Sequence, residues 1–189
     1  PEHIERSFGY FSNGIRLANE LGCDYMEVNS GWGYWNEDKE EAWKRSAAML
    51  RRLADVAQEN GITLVMESIR PEESQLVTNL PAAQKMLKDV GHPNLKAMID
   101  TCAMGVAGET PEDWFKALGG DIRHMHFIDG TPYGHLVWGD GSHHLGQFIE
   151  VLNRYGYEGY LGQEITDGRY FDDPAAADMR NFKAFEPFF

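Results

Sequence analysis

In Gly61-Ile62-Thr63-Leu64-Val65-Met66-Glu67-Ser68-Ile69-Arg70 a five-residue apolar-rich run, Ile62 to Met66, ends abruptly in a carboxylate. A continuous apolar run predicts a strand buried on both faces, as in parallel sheets. The C-terminal end of such a strand is where parallel α/β folds carry their chemistry. The plan recurs three times. Leu95-Lys96-Ala97-Met98-Ile99 ends in Asp100, Ile122-Arg123-His124-Met125 in His126, and Gly159-Tyr160-Leu161-Gly162-Gln163 in Glu164. The spacings, 100−67 = 33, 126−100 = 26 and 164−126 = 38, each hold one strand, one helix and two loops.

Working outward, the rest of the chain keeps the alternation. Helical spacing of apolar residues runs from Glu2 to Leu21, at Ile4, Phe8, Phe11, Ile15, Ala18 and Leu21. Tyr25 to Val28 is a first strand, followed by an aromatic loop with Trp32, Tyr34 and Trp35. A long helix spans about Asp38 to Asn60, with Ala42, Met49, Leu50, Leu53, Val56 and Ala57 as its buried stripe and Gly61 as its cap. Pro81 starts a helix that ends near Gly91, and Thr110-Pro111-Glu112-Asp113 opens another. Leu145 to Tyr155 and the stretch after Asp173-Pro174 complete the helices, and Ile128 to His143 is the longest polar loop. Five strands alternate with six helices, which argues a parallel sheet with helices outside. A whole (β/α)8 barrel takes about 250 residues, so 189 residues with five strands fit strands 4–8 of a partial TIM barrel, a single domain over 1–189. An open doubly wound sheet is the structural alternative, but no Gly-rich phosphate fingerprint follows any strand.

Net charge is −13, so nucleic acid is not an expected partner; a DNA binder shows a basic face. Cys23 and Cys102 form no pattern and read as reduced thiols of a cytoplasmic protein. Neither a signal peptide nor a membrane span is visible. The chain opens inside an amphipathic helix without Met, so a natural protein with roughly 80 more N-terminal residues is expected.

A strand-end Glu is by itself usually just solvated, and a lone His is more often a hydrogen-bonded core residue than a ligand. Four such groups at successive strand ends are harder to obtain by accident. Three carboxylates and one imidazole suit one divalent ion, Mn²⁺ first, with Co²⁺, Mg²⁺ or Zn²⁺ as alternatives. A metal that chelates a carbonyl and its neighbouring hydroxyl acidifies the adjacent C–H and stabilises an enediolate. Two carboxylates on opposite faces can then remove and return the proton, which is epimerisation or isomerisation.

Met66-Glu67, Ile99-Asp100-Thr101, His124-Met125-His126 and Gly162-Gln163-Glu164 together resemble the xylose-isomerase-like TIM barrel superfamily, over essentially the whole chain. Within it the chain is similar to the sugar phosphate isomerase/epimerase group, which includes ketose 3-epimerases and fructoselysine 3-epimerase. Tyr170-Phe171-Asp172-Asp173-Pro174 and the turn Gly139-Asp140-Gly141 are similar too. The resemblance implies a metal-dependent isomerase acting on a sugar, with Glu67, Asp100, His126 and Glu164 as ligands and Glu67 and Glu164 as the acid/base pair. His124 would support His126. Glu73 matches a substrate-contacting Glu of the family; Arg70, Trp32, His135 and Trp138 are further candidates for substrate contact. A homo-oligomer, dimer or tetramer, is expected. Two positions depart from the free-ketose 3-epimerases: Ala103 stands where they carry a substrate-binding His, and Pro132 where they carry an Arg. That puts a free ketohexose in question and leaves a ketose or a fructosamine as the expected substrate. An inosose-type dehydratase, an apurinic-endonuclease-like metalloenzyme and an inactive sugar-binding barrel are the alternatives. Ala103 also breaks the Asp-Thr-Cys-His pattern of the endonucleases.

Overall fold

The structure, a computed structural model, describes residues 2–188. It divides into two compact units, Pro1–Ala97 and Met98–Phe189, and strand β3 crosses the division. The first unit holds α1 (Glu2–Glu20), β1 (Tyr25–Asn29), α2 (Lys39–Glu59), β2 (Thr63–Glu67), α3 (Leu80–Val90) and the start of β3 (Leu95–Asp100). Strands β1 and β2 pair in parallel from Tyr25 opposite Thr63 to Asn29 opposite Glu67. Parallel neighbours need a crossover, and α2 supplies it. Leu64, Val65, Met66 and Glu67 are all buried, as a strand covered on both faces requires.

Local chemistry fixes the ends of these helices. The Asp38 carboxylate accepts the Glu41 N–H at 2.9 Å, and Gly91 ends α3 in the left-handed region at φ 58°. Arg51 Nη1 donates to the Val90 and Gly91 carbonyls at 2.9 and 3.1 Å, closing α3 from the side. On α2, Trp43 is buried with its indole N–H on Asp89 at 2.7 Å, whereas Met49 and Val56 lie only half-buried. On α1 only Ser12 and Ile15 are fully buried, Phe8 and Ala18 are half-buried, and Ile4, Phe11 and Leu21 are exposed. Periodicity shows that a helix has an apolar face, and packing alone decides how much of that face is covered.

The second unit holds the end of β3, α4 (Thr101–Val106), α5 (Pro111–Leu118), β4 (Ile122–His126), α6 (Leu145–Tyr155), β5 (Tyr160–Gly162) and α7 (Pro174–Phe185). Strands β4 and β5 pair in parallel from His124 opposite Tyr160 to His126 opposite Gly162. Hydrogen-bonded order follows chain order, β1-β2-β3-β4-β5, as in consecutive β/α units. Two boundaries differ from the sequence reading. Helix α4 carries no sequence signal, because six residues give no periodicity and its cap is the strand-end Asp100 itself. Strand β5 stops at Gly162, so Glu164 stands on the segment beyond it. Among the described residues no helix is long and apolar enough to cross a membrane.

Helix α5 begins in a full capping box. Thr110 Oγ1 accepts the Asp113 N–H, and the Asp113 carboxylate accepts the Thr110 N–H at 3.0 Å. Thr110→Ala removes half of this exchange and is expected to cost about 1 kcal/mol of stability, read from the urea midpoint. A loss indistinguishable from zero would mean the cap is redundant with Pro111 and the fully buried Trp114.

Candidate metal centre

Asp100 ends β3 and caps α4, and the two tasks use different oxygens. Oδ1 accepts the Ala103 N–H at 2.6 Å. Oδ2 is buried without a hydrogen-bond partner. Its nearest nitrogens are His135 Nε2 at 3.4 Å and His126 Nδ1 at 3.6 Å. Thr101 ties the start of α4 to the end of β4: its hydroxyl lies 2.6 Å from the Ile128 carbonyl and accepts the Ile128 N–H at 3.0 Å. This link sets His126 beside Asp100. The third member is Glu164, whose Oε2 lies 3.0 Å from His126 Nδ1 and 3.2 Å from His135 Nε2. Ligating atoms of Asp100, His126 and Glu164 lie within 4.8 Å of one another.

The electrostatics are those of a site short of positive charge. Burial works to raise Asp100, but His126, His135 and the Ala103 N–H outweigh it and hold the carboxyl below its usual value. Glu164 follows the same pattern: burial opposes ionisation, and the two imidazoles pull its carboxyl far down. For His135 burial disfavours the charge, yet Asp100 and Glu164 push it up to about 9. Two ionised carboxylates around one small space, one of them with an orphaned oxygen, are the donor set that a hard divalent cation accepts. The residues present therefore fit a metal.

His135 reaches this space because Asp129 knots its loop. The Asp129 carboxylate is fully buried and accepts four backbone N–H groups: Gly130 and His143 on Oδ1, at 2.8 and 3.0 Å, and Gly139 and Gly141 on Oδ2, at 3.0 and 2.9 Å. Its own backbone pairs with Leu136 in both directions, at 2.9 and 3.0 Å, next to His135. In Gly139-Asp140-Gly141 only the first glycine has the positive φ expected of a tight turn, 99°. The second is needed for space: a Cβ on Gly141 would collide with the Asp129 carboxylate. Asp129 escaped the sequence reading, although an Asp-Gly step after a strand, followed by a Gly-x-Gly turn, was its available signal.

The other sequence candidates sit as follows. Glu67 ends β2 in the first unit and is buried. Arg70 and Glu73 engage each other in a bidentate pair, Nε and Nη2 each 2.9 Å from a carboxylate oxygen. Trp32 is exposed, on a loop whose carbonyl accepts the Gln75 N–H at 3.0 Å. Trp138 is buried; its indole N–H donates to the Phe127 carbonyl at 3.0 Å and its ring lies against Phe127 and Phe148. His124 stands partly buried on β4, its ring edge-on to that of His126.

A parallel β/α chain with this acid and imidazole set has known counterparts. The model of the xylose isomerase-like TIM barrel family matches residues 1–185. The chain belongs to that family. Fructoselysine 3-epimerase of Shigella flexneri is 29% identical over 192 residues, 98% of this chain and 69% of that protein. D-psicose 3-epimerase of Enterocloster bolteae is 25% identical, with 84% of this chain and 54% of the relative covered. Among solved structures, D-psicose 3-epimerase of Clostridium cellulolyticum H10 superposes with a TM-score of 0.80 at 19% identity, over 98% of this chain and 70% of that one. The fold is therefore that of part of a (β/α)8 barrel. Its family relatives here are named as sugar epimerases, and the chain falls among them.

Proposed function

We propose that this protein is a divalent-metal-dependent sugar epimerase that acts on a ketose or fructosamine, with Glu67, Asp100, His126 and Glu164 as the ligands. The observation that carries the reading is the orphaned, buried Oδ2 of Asp100, set beside His126 and Glu164. Glu67 joins the set because it ends β2 as Asp100 ends β3, and because of the family motif. Mn²⁺ is the ion of first choice, since a carboxylate-rich set with one imidazole suits harder ions than Zn²⁺. Bound there, the ion would polarise the substrate carbonyl and stabilise charge on its oxygen.

The chain's own residues do the rest. Asp100, with Oδ1 committed to α4, is held in one orientation. Glu67 and Glu164 take and return the proton, one on each face of the sugar carbon. His126 and His135 keep Glu164 ionised, which suits a metal ligand. His135 offers a donor to a substrate hydroxyl next to Asp100 and Glu164. Trp32, Arg70 and Glu73 are kept as substrate contacts in this reading, with Glu73 already paired to Arg70. Trp138 supports the site by packing, since its one polar atom is already used. Neither Cys23 nor Cys102 is in a disulfide, which suits the cytoplasmic location included in this reading; a homo-oligomer is included with it.

The substrate test follows from Ala103 and Pro132. Ala103 is buried and spends its N–H on Asp100, and the Pro132 carbonyl faces the Cys102 thiol at 3.4 Å. Neither offers the ring nitrogen or guanidinium that would hold a free ketose. With Mn²⁺ present, kcat/KM on fructoselysine-type compounds is expected to exceed that on psicose, tagatose and ribulose by about tenfold or more, ~1.4 kcal/mol in transition-state binding. A preference for the free ketoses ends the fructosamine reading. Failure to exchange C–H deuterium on any member of the panel ends the epimerase reading, and elimination of water instead would favour the dehydratase.

A further inference from the structure

Two motifs read from the sequence, Gly139-Asp140-Gly141 and Tyr170-Phe171-Asp172-Asp173-Pro174, have no role in the chemistry above, and one hydrogen bond joins them. Tyr170 lies six residues past Glu164, on the segment that follows β5. Its ring shares a buried apolar cluster with Leu136, Val137 and Ala177, and Ile165 packs against that cluster. Its hydroxyl donates to Asp140 Oδ2 at 2.7 Å and accepts the Val137 N–H at 3.2 Å. Arg180 on α7 donates to the other carboxylate oxygen, Oδ1, at 2.7 Å. Tyr170 and Arg180 together hold the Asp140 carboxyl below its usual value, so it stays an acceptor.

Three consecutive residues are thereby tied to the segment that carries Glu164. The His135 carbonyl accepts the Asp167 N–H at 3.4 Å, Leu136 packs in the Tyr170 cluster, and Val137 rests on the hydroxyl. Asp129 folds the loop from within, through the backbone of Leu136, whereas Tyr170 joins the loop to the neighbouring segment. Leu136 and Ile165, which meet at this cluster, are the residues next to His135 and Glu164. The 3.2 Å approach of His135 Nε2 to Glu164 Oε2 is thus framed from both sides.

We propose that Tyr170 is a positioning residue for substrate binding: through Val137 and Asp140 it holds the His135 imidazole where it donates to a sugar hydroxyl. The proposal rests on the reading of His135 as a substrate donor, and Tyr170 acts on the sugar only through His135. Without the hydroxyl the buried Val137 N–H loses its acceptor, and this part of the loop shifts to find another.

Tyr170→Phe keeps the ring and removes only the hydroxyl. With Mn²⁺ present, the full-length variant is expected to raise KM about tenfold on whichever of fructoselysine and psicose the wild type turns over, the worth of one hydrogen bond, with kcat within about twofold. His135→Ala is expected to do the same, and the double variant to be no worse than His135→Ala alone, since both remove one contact. Asp140→Asn, a second variant, is expected to raise KM by a smaller factor. Tyr155→Phe takes a comparable hydroxyl from Glu112, on helices α6 and α5, and as the control leaves KM unchanged. Independently of turnover, the His135 ring signal in the NMR spectrum of the metal-free protein, identified by its loss in His135→Ala, is expected to move in Tyr170→Phe and to stay in place in Tyr155→Phe. An unchanged KM in Tyr170→Phe, an unmoved His135 signal, or effects of Tyr170→Phe and His135→Ala that multiply overturns the proposal. Should Tyr170→Phe not fold, Asp140→Asn is read against the same outcomes. A wild type that turns over neither sugar, with the His135 signal still displaced in the variant, counts against the epimerase reading alone.

Discussion

Glu67→Gln and Glu164→Gln each reduce turnover by at least ~10²–10⁴-fold while the protein stays folded. An amide cannot accept a proton, so the proposed base on one face of the sugar carbon is lost in each variant. Both glutamates are also proposed ligands, and weaker metal retention adds to the loss. The fold tolerates the change because Gln matches Glu in size. At position 164 the side chain lies beyond β5 and is 40% exposed, so no core contact is removed. Position 67 is buried, but the swap leaves the apolar neighbours Leu64, Val65 and Met66 untouched. Turnover is followed by loss of a C–H deuterium label, metal by content after gel filtration, and folding by circular dichroism. Near-normal exchange in either variant with metal bound would refute the two-glutamate mechanism. The two variants should also differ in kind. With one base intact on each protein, residual exchange of the label without net inversion would identify which face that base serves.

Asp129→Ala lowers stability by about 4 kcal/mol, a large loss for one side chain, because four buried or half-buried N–H groups lose their acceptor together. Asp129→Asn falls between, at about 2 kcal/mol, because an amide keeps one oxygen and turns its NH₂ toward two of the donors. Urea denaturation at constant slope reads both values. Losses under ~1 kcal/mol in both variants would show that water can replace the carboxylate and that the loop does not depend on it. The effect also reaches the site. His135 is next to Leu136, which pairs with the Asp129 backbone, so loosening this loop displaces the imidazole from Asp100 and Glu164.

Much of the fold was legible in single residues. The run Ile62 to Met66 gave β2 to within one residue, Leu95 to Asp100 matched β3, and Gly91, Thr110, Asp173 and Gly156 marked helix ends where they stand. These signals are local: a cap, a β-branched run or a left-handed glycine acts within a few residues, so sequence carries it directly. Helix α4 was missed because its cap doubles as a strand end. How much of α1's apolar stripe is covered could not be read at all, because periodicity says nothing about what covers a face.

The candidate site divides along the same line. Sequence by itself pointed to Glu67, Asp100, His126 and Glu164, three carboxylates and an imidazole at or just past strand ends, with a spacing that suits successive β/α units. It did not determine which oxygen of Asp100 is free, that Thr101 ties α4 to the end of β4, or that Asp129 folds its loop back to set His135 against two carboxylates. It also offered Trp138 as a substrate contact, where tertiary packing spends the indole N–H on Phe127. The physical reason is allocation. A cap or an apolar run acts between near neighbours, whereas which carboxylate oxygen stays free depends on what the assembled structure brings to it: Ala103 takes Oδ1 of Asp100, and His126 and His135, 26 and 35 positions on, stop short of bonding Oδ2.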